Sequence, residues 1–284
     1  MPGLRAVPAA ALAIAMTACS LVPLDGLTGG VVLDAGSHDG SGLDAAGTDT
    51  GAPVPAYVAQ VMADQPVAYW RFDELHGPTA KDSSGHGNDA TYVGGVKLGA
   101  LGAITGDPGT GVTLDGATGF VTAGNRFAFA GAQAPFSIEA WVMPASVGVY
   151  SGIASRNDAV GGPPSEGYIL FVAPNDADLA IQRLDGASVS TATSSVPPSA
   201  TAYTHVVATF DGLDMILYEN GEPQGTQTAA FALAGAGSDF VVGAELGGGA
   251  NYFPGTLDEV AVYDHALPAD RVRAHYLVGQ GSSP

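Results

Sequence analysis

The chain has 284 residues, 46% of them hydrophobic and 13% charged, and its 9 Lys and Arg face 28 Asp and Glu for a formal charge of −19. The charged share is about half the usual quarter, and so acidic a surface repels phosphate backbones and anionic headgroups, which excludes nucleic acid as a partner. The single cysteine excludes an intrachain disulfide, and 41 Gly with 19 Pro point to many turns, hence many short strands and few helices.

Residues 1–18 read as an export signal. Arg5 and the terminal amine form a positive start, and the apolar run Ala6–Met16 covers 11 residues, too few for the ~20 that span a bilayer. Met16-Thr17-Ala18-Cys19 then resembles the lipobox of bacterial lipoproteins. That resemblance implies cleavage before Cys19, acylation of its thiol and, because Ser20 is not acidic, an outer-membrane or cell-surface address. The alternative is an ordinary secretory signal followed by a chance cysteine.

Residues 19–54 hold no Lys or Arg and are dominated by Gly, Ala, Asp, Ser and Thr. Such a stretch has too little apolar area to offset its ordering entropy, so it is expected to be a disordered tether of roughly 30–35 Å average span. Asp34, Asp39, Asp44 and Asp49 recur every fifth position, which does not match the ligand spacing of an EF-hand loop.

A single domain is expected over 55–284. Tyr57, Val58, Val61 and Met62 share one helical face, and Asp64-Gln65-Pro66 closes that helix. Phe136 to Val142 alternates with period two, as a half-buried strand does, and 168–172, 179–184, 205–210, 215–218, 240–244 and 256–263 read as further strands. Asn220-Gly221 signals a type I′ hairpin, and a last helix begins at Pro268 with Asp270 in its first turn. Short strands, hairpin turns and no βα alternation define an antiparallel sandwich. Trp70 and Trp141 fall at strand apolar positions and are assigned to the core. Glu139, on the opposite strand face from Ile138 and Ala140, is either solvated or in a groove.

Four segments carry a resemblance to a known family: Pro66 to Glu74 with Asp82-Ser83-Ser84-Gly85-His86-Gly87-Asn88; Phe136 to Val142; Thr204 to Gly212 with Leu217 to Gly221; and Gly255 to Asp264, closed by Leu267 and His275-Tyr276. Their order and spacing over residues 56–279 resemble the laminin G-like jelly-roll domains of the concanavalin A-like lectin/glucanase superfamily. The resemblance implies an all-β fold, two packed antiparallel sheets, with short helices at both ends of the domain. It also implies a structural calcium near the junction of first and last strands, with Asp73 and Asp258 as ligands and Asn88 adding an oxygen. The alternative is that these are turn and edge residues held by backbone hydrogen bonds.

A catalytic role finds no support in the motifs. Hydrolases on this architecture carry Glu-x-Asp-x-Glu-like strands, and the chain has none; Asp258 and Glu259 are adjacent and are expected to face opposite ways. Loop aromatics Tyr150, Tyr252 and Phe253 are the candidates for stacking on a sugar, against the alternative that they cap the ends of the sandwich. The expectation is a non-catalytic, lipid-anchored, monomeric module that binds a glycan or a cell-surface protein and meets the membrane only through its anchor. The alternatives are an adhesive envelope lipoprotein without a discrete ligand and, less favoured, a glycoside hydrolase.

Overall fold

The computed structural model of the chain describes residues 54–158, 166–174, 178–235 and 237–284. The segments expected to form an export signal and a tether, with Cys19 between them, lie outside the described residues up to residue 53. One sheet runs in the order β14 (Glu222–Thr228), β13 (Asp214–Glu219), β12 (Thr204–Phe210), β7 (Phe136–Pro144), β16 (Pro254–Tyr263), β5 (Thr110–Asp115) and β4 (Val96–Leu101), with β1 (Ala68–Trp70) also on β16. The second runs β11 (Val189–Thr193), β10 (Leu179–Asp185), β9 (Glu166–Val172), β8 (Ser151–Asp158), β15 (Phe240–Val242), β6 (Phe120–Gly124), β3 (Ala90–Val93) and β2 (Thr79–Ala80). Every named strand pair is antiparallel. At the β13–β14 hairpin, Asn220 and Gly221 both take positive φ, 51° and 79°, as a type I′ turn requires.

Alternation along the strands places the core. From β7, Phe136, Ile138, Ala140 and Val142 point between the sheets to meet Tyr168, Leu170 and Val172 of β9, and Trp70 joins them. The opposite side of the first sheet is covered as well. There Trp141, Val207 and Tyr263 pack under α1 (Ala56–Ala63) and α2 (Ala269–Gly279), which contribute Tyr57, Val61, Val272 and Val278. Both tryptophans are fully buried, as their strand positions predict.

This second core corrects the reading of Glu139, which is neither solvated nor in a groove but fully buried beneath the two helices. Its carboxylate accepts hydrogen bonds from Tyr57 Oη (2.8 Å), His205 Nε2 (2.8 Å), Tyr263 Oη (2.7 Å) and His275 Nδ1 (3.1 Å). His275 Nε2 meets Asp64 Oδ2 at 2.8 Å. With a carboxylate oxygen at each ring nitrogen, both must donate, so the ring is an imidazolium. Arg271 Nε closes the chain of charges on Asp64 at 2.9 Å. Burial alone would raise the Glu139 pKa, but His275 and His205 outweigh it and hold it well below the carboxylate range. Burial likewise disfavours charged His275, yet Glu139 and Asp64 bring its pKa up to about 9.

The folded His275 pKa thus lies above its unfolded value near 6.5. The stability that its charge contributes is complete below about pH 6.5 and is lost as pH rises through about 9. The full span is on the order of 3 kcal/mol. In denaturant titrations, His275→Gln is expected to be least stable relative to wild type at pH 6, with the gap closing by pH 9.5. A gap independent of pH contradicts the imidazolium.

Candidate functional site

The site grows from an irregularity in β16. On one side of that strand, residues 254–257 pair with β5 and residues 260–262 with β1. On the other side, the register with β7 slips by one residue between Asp258 and Ala261. The extra residue is Glu259, in left-handed conformation with φ 50°, a β-bulge in a central strand. The bulge corrects the expectation that Asp258 and Glu259 diverge. With one residue inserted, Leu257 and Val260 both reach the inter-sheet core, and the two carboxyls between them enter one polar cluster.

Arg71 is the centre of that cluster. It follows β1, and its guanidinium places Nη1 3.0 Å from Asp73 Oδ2, Nη2 2.9 Å from Asp107 Oδ2 and Nε 3.2 Å from Glu259 Oε1. Backbone amides complete the array: Thr110 donates to Asp73 Oδ1 at 2.7 Å, Gly109 to Asp107 Oδ1 at 2.9 Å and Ala103 to Asp258 Oδ2 at 2.7 Å. A Cβ at Gly109 would stand 2.7 Å from Asp73 Oδ1, so a side chain there would displace that carboxylate. Burial raises Asp258 well above the carboxylate range, with the neighbouring Glu259 charge adding to it. Burial also lifts Glu259 to about 7, against the pull of Arg71. Asp73 is raised by burial too.

A cleft of about 710 Å³ opens over this cluster. Arg71, Asp73 and Asp107 give it a charged patch, while Val58, Leu75 and Pro108 supply apolar wall. Leu75 is 66% exposed at its rim. A cleft that joins apolar walls to a few convergent polar groups with shifted pKa values has the general character of a ligand site.

The sequence candidates separate into three places. Asp73 and Asp258 share the Arg71 cluster. Asn88 belongs to a different network: its side chain donates to the Val67 carbonyl at 2.7 Å, its amide donates to Asp82 Oδ2 and its carbonyl accepts from Trp70 Nε1. Among the described residues no three His, Cys, Asp or Glu side chains are grouped to hold a metal ion. Of the expected calcium ligands, Asp73 and Asp258 lie at the Arg71 cluster, where a guanidinium sits among the carboxylates, and Asn88 lies in the network of the 82–88 turn.

The aromatic candidates lie elsewhere again. Tyr150 stacks on Phe171 on the outer face of the second sheet, ring centroids 4.7 Å apart, in a small apolar cluster with Ile169, Ala180 and Leu184. Burial raises the Tyr150 phenol, and Glu245 opposite it raises it further. Tyr252 is half-buried and donates to the Gly248 carbonyl at 2.7 Å. Phe253 is fully buried in the inter-sheet core, which removes it as a ligand contact. Its position just before β16 turns its ring inward. Arg71 and Asp107 are the residues that sequence reasoning missed. Arg71 stood inside a quoted motif, but nothing in the linear pattern ties it to Asp107 or to a bulge 188 residues on.

The family model of the concanavalin A-like lectin/glucanases superfamily matches residues 115–273, and the chain belongs to that superfamily. Solved structures share its fold at low identity. Domain 4 of AbnA, an extracellular GH43 arabinanase of Geobacillus stearothermophilus solved with arabinotriose, has TM-score 0.57 and 20% identity, over 75% of this chain and 98% of that one. The binding domain of Paraclostridial Mosquitocidal Protein 1 has TM-score 0.59 and 16% identity, over 76% of this chain and 52% of that one. Trypanosoma rangeli sialidase with sialic acid has TM-score 0.53 and 18% identity, over 74% of this chain and 32% of that one. The chain thus spans about half of the second protein and a third of the third, and these likenesses show the fold alone. No curated protein matches the sequence.

Phe253→Ala is expected to cost about 3–5 kcal/mol in urea unfolding, as deletion of a packed core ring does. Tyr252→Ala and Tyr150→Ala should each cost clearly less. Equal losses for all three contradict the division into core and surface rings.

Proposed function

We propose that this chain is a non-catalytic binding module that recognises a carbohydrate or protein partner in the cleft over Arg71. One observation carries the reading: a cleft of about 710 Å³ combines apolar walls at Val58, Leu75 and Pro108 with polar groups already locked in place at Arg71, Asp73 and Asp107. Groups held by salt bridges and backbone amides lose little freedom on binding, which favours affinity through preorganisation. Carbohydrate is the first choice of ligand. A neutral, hydroxyl-rich molecule suits a chain of charge −19 better than an anionic one, and it can use both the carboxylates and the unshared guanidinium N–H groups.

Hydrolysis is the second reading, favoured by the raised pKa values of Asp258 and Glu259. Against it, both carboxyls are 2% exposed and lie behind Arg71, whereas a glycosidase presents two carboxyls to the scissile bond. The Met16-Thr17-Ala18-Cys19 sequence supports export and anchoring through Cys19 at the outer membrane or cell surface.

A glycan array probed with the full chain carrying Cys19→Ser, in calcium and again in chelator, tests the reading. Binding to a defined sugar class that falls at least about tenfold in Leu75→Arg, a loss of roughly 1.4 kcal/mol, supports it. Binding untouched by Leu75→Arg moves the site elsewhere, and release of reducing ends from a bound glycan replaces the reading with an enzyme.

A further inference from the structure

The four acidic residues of the junction present eight carboxylate oxygens, and every one already faces a donor of this chain. Asp73 is met by Arg71 Nη1 (3.0 Å) and Thr110 N (2.7 Å). Asp107 is met by Arg71 Nη2 (2.9 Å) and Gly109 N (2.9 Å). Glu259 is met by Arg71 Nε (3.2 Å) and the Tyr69 hydroxyl, and Asp258 by Ala103 N (2.7 Å) and Glu259 N (2.9 Å). Calcium needs about 6–8 oxygens whose lone pairs converge on one empty point. Here three carboxylates converge on a guanidinium, and the other oxygen of each accepts from a backbone N–H or the Tyr69 hydroxyl. The residues do not fit a resident calcium.

We propose that Arg71 is a built-in cation that takes the place of a divalent ion at the junction of the first and last strands, closing the sandwich there without calcium. The guanidinium links three segments remote in sequence: the turn after β1 through Asp73, the connection from β4 to β5 through Asp107, and the bulge of β16 through Glu259. Its planar fork suits three carboxylates around its rim, which an ammonium cannot reproduce. Its side chain is 19% exposed and those of Asp107 and Glu259 are 6% and 2% exposed, so removing the charge leaves two largely buried carboxylates without their cation. Without the guanidinium, the same carboxylates have three oxygens free, and the site becomes one that a divalent ion can enter. This inference concerns closure of the fold and holds whatever ligand the cleft takes.

Thermal unfolding of the full chain carrying Cys19→Ser, in millimolar calcium and in chelator, tests it with two further substitutions. Wild type is expected to unfold at the same temperature in both conditions. Arg71→Met, which keeps the apolar stem and removes the charge, should unfold about 5 °C or more below wild type in chelator and regain part of that loss in calcium. A calcium-dependent rise in wild type that Asp73→Asn abolishes overturns the proposal. So does an Arg71→Met chain as stable as wild type in chelator, or one that calcium does not raise. Should Arg71→Met fail to fold, the wild-type comparison with Asp73→Asn still decides.

Discussion

The β-bulge at Glu259 is the constraint on which the rest of the site depends. β16 is central to its sheet, and at this residue its neighbour on one side changes from β5 to β1. A regular strand would send Asp258 outward and Glu259 into the core, where an unpaired carboxylate is costly. The inserted residue instead lets Leu257 and Val260 both serve the inter-sheet core, while Glu259 meets Arg71 and Asp258 accepts from the Ala103 amide. The left-handed backbone at Glu259 costs on the order of 1–3 kcal/mol, and the surrounding salt bridges hold it there.

Two buried charge networks tie the termini of the domain to the first sheet by different means. At the Arg71 cluster one guanidinium balances several carboxylates at the margin of a cleft. Beneath the helices one carboxylate, Glu139, is balanced by an imidazolium that also reaches Asp64 at the end of α1. In the second network Glu139 and His275 are fully buried, and its bonds join α1 and α2 to the first sheet. Networks of this kind add little net stability over an apolar core but penalise any arrangement that leaves one member unpaired. That penalty fixes how the helices register on the strands.

The fold was legible from the sequence because it rests on period and turn chemistry. The alternation from Phe136 to Val142, the Asn220-Gly221 turn and the Pro268 helix start each appear where their local physics places them. The strands not read from the sequence include the edge strands β4, whose residues alternate only between half-buried and exposed, and β14, which is polar and carries Gly225. The site was half legible. Asp73 and Asp258 were marked by their motifs and do meet in one cluster, whereas Asn88 turned out to serve its own turn. Glu139 was misjudged because alternation reports which face a residue takes, not what covers that face. Arg71 and the bulge escaped because a register slip leaves no periodic trace and a salt bridge between residues 71 and 107 leaves no spacing rule.

The proposed recognition over Arg71, rather than on the outer face of the second sheet around Tyr150, sets where a bound glycan would protect the backbone. Hydrogen exchange of the full chain with and without a bound glycan selected by the array tests this most directly. Added protection is expected on residues 71–75 and 107–110, with the Tyr150 and Phe171 segments unchanged. Protection confined to residues 150–152 and 169–172 contradicts it and assigns recognition to the opposite sheet.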